Sequence, residues 1–222
     1  MATADLKRDV VYKQIKDLIL TGFFPMGSKI SEGVLENTLR ANKAPIRDAL
    51  KRLQAERLVE RKPKSGTFVF SLSQAELDDL LHFRFLIESE ALKLSLKRDG
   101  QALSEEIEAV IASMHEALSQ GAISEYLRLD SRFHALTVSH CRNQFFTDSY
   151  SLISAMMDTV RNVLGTSKVH LQRSAEEHEL MAKAIAAGDA DAFINVLRRH
   201  VLAECGSYWS PENVGNKLSS HE

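Results

Sequence analysis

Apolar residues recur every three or four positions through most of the chain, and in one short region they give way to strand-like runs. Val11, Ile15, Leu18 and Ile19 form one helical stripe, which predicts a helix from residue 6 to about 21 with Gly22 as its stop. Residues 1 to 5 are expected to fray. After the turn Phe23-Phe24-Pro25-Met26-Gly27, Ser31 is a good N-cap for a short helix with Val34, Leu35 and Leu39 on one side. Arg40, Ala41 and Asn42 make a turn. Asn42 caps a second helix running to about Arg57, with Pro45 in its first turn, where a missing N–H does little harm. Residues 58–62 and 67–70 read as strands joined by the hairpin tip Pro63-Lys64-Ser65-Gly66, and Lys29-Ile30 can add a short third strand.

From residue 73 the helical period returns and persists. Ser73-Gln74-Ala75-Glu76 is a capping box opening a long helix to about residue 98. Further helices are expected over about 103–119, 122–140, 143–164, 169–187 and 190–208, punctuated by Gly100, Gly121, Gly165 and Gly188. The predicted fold is mainly α. It has an N-terminal winged helix-turn-helix (1–70), a linker (71–73), an all-α antiparallel bundle of about six helices (74–210) and a loose polar tail (211–222).

The second helix of the helix-turn-helix has two chemically different faces. Ile46, Ala49, Leu50 and Leu53 point one way, and Lys43, Arg47, Lys51 and Gln54 recur on another. A solvated amphipathic helix shares that pattern. Cations for phosphates and guanine edges, with an amide able to pair with adenine, are also what major-groove reading requires. The hairpin that follows, with Lys64, Ser65 and Gly66 at its tip, favours DNA, because a wing can lie along neighbouring phosphates or the minor groove.

Charge sharpens this picture only once the chain is divided. The net charge of −2 conceals a basic head, +6 over residues 1–70, on an acidic body of −8. No apolar leader or membrane-length run is present, and Cys141 and Cys205 form no CxxC motif. These features predict a cytoplasmic protein without structural disulfides or membrane association.

The order Ile15, Ile19, Gly22, Pro25-x-Gly27, Ser31-Glu32, Pro45-Ile46-Arg47-x-Ala49-Leu50, Leu53 and Gly66-Thr67-Phe68-Val69 resembles the DNA-binding half of GntR-type transcriptional regulators. Two positions depart from that pattern: Asn42-Lys43 replaces Ser-Arg at the start of the recognition helix, and Arg57 stands in a glycine place. Lysine lacks the planar fork of arginine, so base preference at Lys43 is expected to differ.

The second half carries a different chemistry. Asp130 and His134 lie at i and i+4 of one helix, while His178 and His200 fall on two later helices. Brought together in a bundle core, one carboxylate and three imidazoles can hold a divalent transition metal; the imidazoles favour Zn or Ni and the carboxylate keeps Mn open. Such residues are also common singly in cores. Asp130-x-x-Phe133-His134, Glu177-His178, Ala184-Ile185, Gly188-Asp189, Ala192, His200 and the pair Arg84-x-x-x-Glu88 resemble the FCD effector domain of FadR-type members of that family. The resemblance implies a metal held by Asp130, His134, His178 and His200, with a small organic acid bound beside it as effector. Arg84 or Arg161 is a candidate cation for that acid, and Asn143 a candidate polar contact. Arg84 can equally be the buried partner of Glu88.

The function so implied is a non-enzymatic regulator of transcription. It would bind a near-palindromic operator in double-stranded DNA as a homodimer, since one winged helix covers too few base pairs to compete with genomic DNA. The acid would tune operator affinity through the metal site. A metal-sensing regulator and a metal-dependent hydrolase fused to a DNA-binding head are the alternatives, the latter lacking any HExxH or GxSxG motif.

Overall fold

The computed structural model describes residues 2–210, so the tail expected over 211–222 lies outside the described residues. The chain divides into two compact units, with the boundary between Ser71 and Leu72.

The first unit contains α1 (Ala2–Leu20), β1 (Lys29–Ile30), α2 (Glu32–Leu39), α3 (Lys43–Ala55), β2 (Val59–Lys62) and β3 (Gly66–Val69). Helix α1 starts at Ala2 rather than residue 6, because Ala2-Thr3-Ala4-Asp5 contains no helix breaker. It packs on α3. Val11, Ile15 and Ile19 of one helix and Ile46, Ala49, Leu50 and Leu53 of the other are buried, each large aliphatic stabilising the unit by about 1.5–3 kcal/mol. Leu18, beside the stripe, is only half-buried.

Ser31 caps α2 by accepting from the Val34 N–H, and the helix ends at Arg40 with φ 50°. Val34 itself is exposed, contrary to expectation, because it sits about 100° around the helix from the buried Leu35. Asn42 precedes α3 but its side chain makes no capping bond. Helix α3 stops at Ala55, two residues early, because Arg57 takes φ 60° and turns the chain toward β2. This residue fills a place where the family pattern has glycine, and a left-handed conformation there costs roughly 1–2 kcal/mol.

The sheet order is β1-β3-β2, both pairs antiparallel, so Lys29-Ile30 does join the wing. Gly66 pairs with Lys62, which shortens the tip to residues 63–65 and places Gly66 in the strand. Lys64 makes the reversal at φ 62°.

The second unit contains α4 (Gln74–Ser119), α5 (Ile123–Ser139), α6 (Gln144–Leu164), α7 (Lys168–Ala186) and α8 (Ala190–Val201). The Ser73/Glu76 capping box opens α4, and the non-helical φ of −156° at Asp99 breaks it into the two segments that the pattern anticipates. Helix α4 is central, packing on each of the other four. Helix α8 ends at Val201, not near residue 208. Leu202 is extended, a 3-10 turn follows at Ala203–Cys205, and Gly206 reverses the chain at φ 81°. That turn lets Ser207 Oγ donate to the Val201 carbonyl at 3.1 Å and buries Trp209. Both cysteines are free, and no described helix is long and apolar enough to cross a membrane.

Candidate functional site

Helix α5 carries Asp130 and His134 one turn apart on its buried face. Helices α7 and α8 form a hairpin around Gly188, whose φ of 68° permits the reversal, and their buried faces bring His178 and His200 to the same place. All four side chains are buried, and one donor atom from each lies within 4.8 Å of every other.

The histidines are oriented by hydrogen bonds on the far side of each ring. His134 Nδ1 lies 2.8 Å from Glu88 Oε2, His178 Nδ1 lies 2.6 Å from the Ser174 carbonyl, and His200 Nδ1 lies 2.8 Å from Glu177 Oε2. Each partner is an acceptor, so each Nδ1 holds the proton and each Nε2 presents a lone pair. His134 Nε2 and His178 Nε2 face one another at 3.2 Å. Asp130 Oδ1 stands 3.7 Å from His178 Nε2, and Oδ2 stands 3.9 Å from His134 Nε2. Unprotonated acceptors converging in a dry core repel one another unless a cation lies between them. Donors about 2.0–2.2 Å from one ion stand roughly 3–4.4 Å apart, so these separations fit a transition metal, with the widest pair needing to close slightly.

Electrostatics keeps the cluster ready to ligate. Burial, aided by Arg84, holds the His134 imidazole well below its ordinary pKa, and burial takes His178 down to about 3. Burial alone would raise Asp130, but the Arg161 guanidinium and the imidazoles outweigh it and leave the carboxyl far below its usual range. Glu177 behaves likewise: burial opposes ionisation, and the His200 hydrogen bond prevails, giving about 2. Neutral imidazoles and ionised carboxylates are the ligating forms.

The effector candidates separate. Arg84 is 1% exposed, its Nε donates to Glu88 Oε1 at 2.6 Å, and its Nη2 is buried with no partner. Arg161 Nε lies 2.6 Å from Asp130 Oδ2, in ion-pair range without hydrogen-bond alignment, while its Nη1 donates to Ser131 and Asp158. Asn143 is not in the cluster. It is the N-cap of α6, its Oδ1 accepting from the Phe145 N–H at 3.1 Å. Among the remaining histidines, His170 is buried, with its Nδ1 unpartnered and its ring stacked on Tyr208 at 4.0 Å.

Glu88, Ser174 and Glu177 orient the ligands and were not among the sequence candidates for the cluster. Ser174 stands four residues before His178, a spacing that could have revealed it. Glu177 is adjacent to His178 yet serves His200 across the hairpin, which no local spacing shows.

In the first unit Lys43, Arg47, Lys51 and Gln54 are all exposed on α3, and Lys64, Ser65 and Gly66 are exposed at the wing. A cleft of about 290 Å³ lies between helix and wing, lined in part by Glu32, Arg47, Lys51, Gln54 and Arg61. Neither Glu32 nor Arg61 was singled out from the sequence for this face.

Residues 79–203 match the FCD domain, and residues 7–69 match the bacterial regulatory proteins of the gntR family. The chain is 23% identical over 193 residues to the uncharacterized HTH-type transcriptional regulator YdhC of Bacillus subtilis, covering 86% of this chain and 84% of that protein. It is 25% identical over 199 residues to the HTH-type transcriptional repressor GlaR of Escherichia coli, covering 86% and 90%. The structure of E. coli McbR/YncC shares the fold with a TM-score of 0.73 at 16% identity, over 86% of this chain and 91% of that one.

Proposed function

The chain belongs to the gntR family of bacterial regulatory proteins and carries an FCD domain, and from that premise we propose that it is a repressor whose grip on its operator is set by a small organic acid bound at a metal centre. In this reading a homodimer places two α3 helices in successive major grooves of a near-palindromic site. Lys43, Arg47, Lys51 and Gln54 meet base edges and phosphates, and Lys64, Ser65 and Gly66 follow the backbone.

The convergence of three imidazoles and Asp130 carries the metal assignment. Zn, Ni or Mn would be held by Asp130, His134, His178 and His200, and when bound would offer a Lewis-acidic position to an oxygen ligand. Charge favours an anion there. Asp130 and Asp158 share Arg161, Glu88 is offset by Arg84 and Glu177 by Arg173, so a divalent ion would leave these groups with a net positive charge. A carboxylate supplies the missing charge, and the unpartnered Nη2 of Arg84 supplies a donor for it.

Thermal-shift screening of metal-loaded and chelated protein against sugar acids, hydroxy acids and dicarboxylates tests this. A carboxylate that raises the melting temperature only when metal is present supports the reading, and acids without effect on loaded protein oppose it. The complete burial of the cluster also suits a second reading, in which the ion itself is the signal. Metal-dependent switching of operator affinity with no acid present would select it.

A further inference from the structure

Arg47 is held by Glu32, an acid in the first turn of α2. Its Nε donates to Glu32 Oε2 at 3.0 Å, although the Arg47 side chain is 60% exposed and that of Glu32 38%. An exposed ion pair adds little to stability. An acid on a surface meant for phosphates also repels DNA. The pairing is therefore best explained by what it does to the shape of Arg47.

A guanidinium has two hydrogen-bonding edges, one containing Nε–H and one formed by the two terminal amino groups. Reading guanine through O6 and N7 needs two parallel N–H donors in a fixed direction. Glu32 occupies Nε, which leaves the terminal edge available and limits rotation about the last side-chain bonds. The two residues belong to different helices, Glu32 opening α2 and Arg47 lying in α3, and both line the cleft beside the wing. The other cations nearby are treated differently. Lys43 Nζ is 4.0 Å from Glu36, beyond hydrogen-bond range, and a rounded ammonium needs no orientation. Arg52 is paired with Asp9 and lies over the Tyr12 ring at 3.9 Å, committed to α1.

We infer that Glu32 is a positioning residue for DNA recognition: it braces Arg47 so that its terminal edge discriminates guanine, and it weakens binding to unrelated DNA by its own charge. The inference rests on α3 being the helix that enters the groove.

The test uses the full-length protein and a duplex selected from randomised double-stranded DNA. Binding to that duplex, to its single-base variants and to a scrambled duplex is measured by fluorescence anisotropy at one salt concentration, with circular dichroism confirming folding. Glu32→Asp keeps the charge but is one methylene too short to reach Nε. It is expected to lose discrimination at one guanine by roughly tenfold or more, with scrambled-duplex binding unchanged. Glu32→Gln keeps an acceptor at full reach without the charge. It should retain that discrimination while binding scrambled DNA more tightly. If Glu32→Asp leaves the base preference intact, or if both variants raise affinity for selected and scrambled duplexes equally, the brace is refuted. Arg47→Ala separates the two levels: should it leave recognition unchanged, the assignment of α3 as the reading helix fails first.

Discussion

His134 and Glu88 are joined through Nδ1 and Oε2 at 2.8 Å, with both side chains fully buried. The bond fixes which imidazole nitrogen faces the cluster, and the second oxygen of Glu88 holds Arg84 at 2.6 Å. Replacing Glu88 by Gln removes the charge shared by these two partners. Metal affinity is expected to fall about 10- to 100-fold, as for other partners that orient metal ligands. Urea denaturation of the chelated variant should show a loss of about 3 kcal/mol, because Arg84 is left as a buried charge without its counter-ion. Competition against a chromophoric chelator reads the first quantity, and an unchanged affinity there would show that Glu88 does not tune the site.

Acid should destabilise the metal-free protein from just below neutrality. His178 and His170 ordinarily titrate at 6.5, but burial lowers them to about 3 and about 4. Above pH 6.5 both are neutral in folded and unfolded chains and contribute no pH dependence. Below it the unfolded chain takes protons that the folded chain refuses, so stability falls by about 1.4 kcal/mol per pH unit for each, until the folded value is reached. Glu177, lowered from 4.5 to about 2, adds a further loss below pH 4.5. Denaturation midpoints of chelated protein at pH 7.5, 6 and 5 should decline in that order. A flat profile would mean that the imidazoles are not held neutral.

The wing contributes through charge at one residue and backbone shape at another. Lys64→Ala should weaken binding to all duplexes about equally, and it should make the slope of log affinity against log salt shallower by about 1, since one phosphate fewer is neutralised. Gly66 has φ 116°, and a Cβ there would stand 3.0 Å from Lys29 Cε. Gly66→Ala is therefore expected to destabilise the first unit by roughly 1–3 kcal/mol, visible as a lower melting temperature. Equal melting temperatures would contradict the strain.

Gly165 is required by space rather than by φ. An added Cβ would lie 2.7 Å from the Arg161 carbonyl and 3.2 Å from His170 Nε2. Gly165→Ala should cost about 1–3 kcal/mol in urea denaturation. It should also shift the emission of Trp209, the only tryptophan in the chain, whose ring centroid is 5.2 Å from that of His170. An unaltered spectrum would show that the histidine does not move.

Much of this architecture could be read from periodicity, since a helix that buries one side must repeat its apolar positions. Val11, Ile15, Ile19, Ile46 and Leu53 announce their helices and are buried as that rule requires. Periodicity also places Asp130 and His134 on one face, because i and i+4 are neighbours on any helix. It does not show that His178 and His200 join them, which depends on how α7 and α8 fold back around Gly188. The family resemblance supplied that grouping, and the packed hairpin gives its physical basis. Composition also fails to fix register. Gly66 belongs to the ladder rather than to the tip of the wing because a one-residue choice of pairing leaves no trace in residue types. Helix α8 ends early for a tertiary reason, the burial of Ser207 and Trp209.

The most direct test of acid control through the metal centre is operator affinity measured by anisotropy as an organic acid is titrated into metal-loaded protein, chelated protein and the His178→Ala variant. The expected result is a 5- to 150-fold change in operator dissociation constant, about 1–3 kcal/mol of coupling, in the loaded protein alone. The same change in chelated protein or in His178→Ala would show that the acid acts elsewhere than at the cluster of Asp130, His134, His178 and His200.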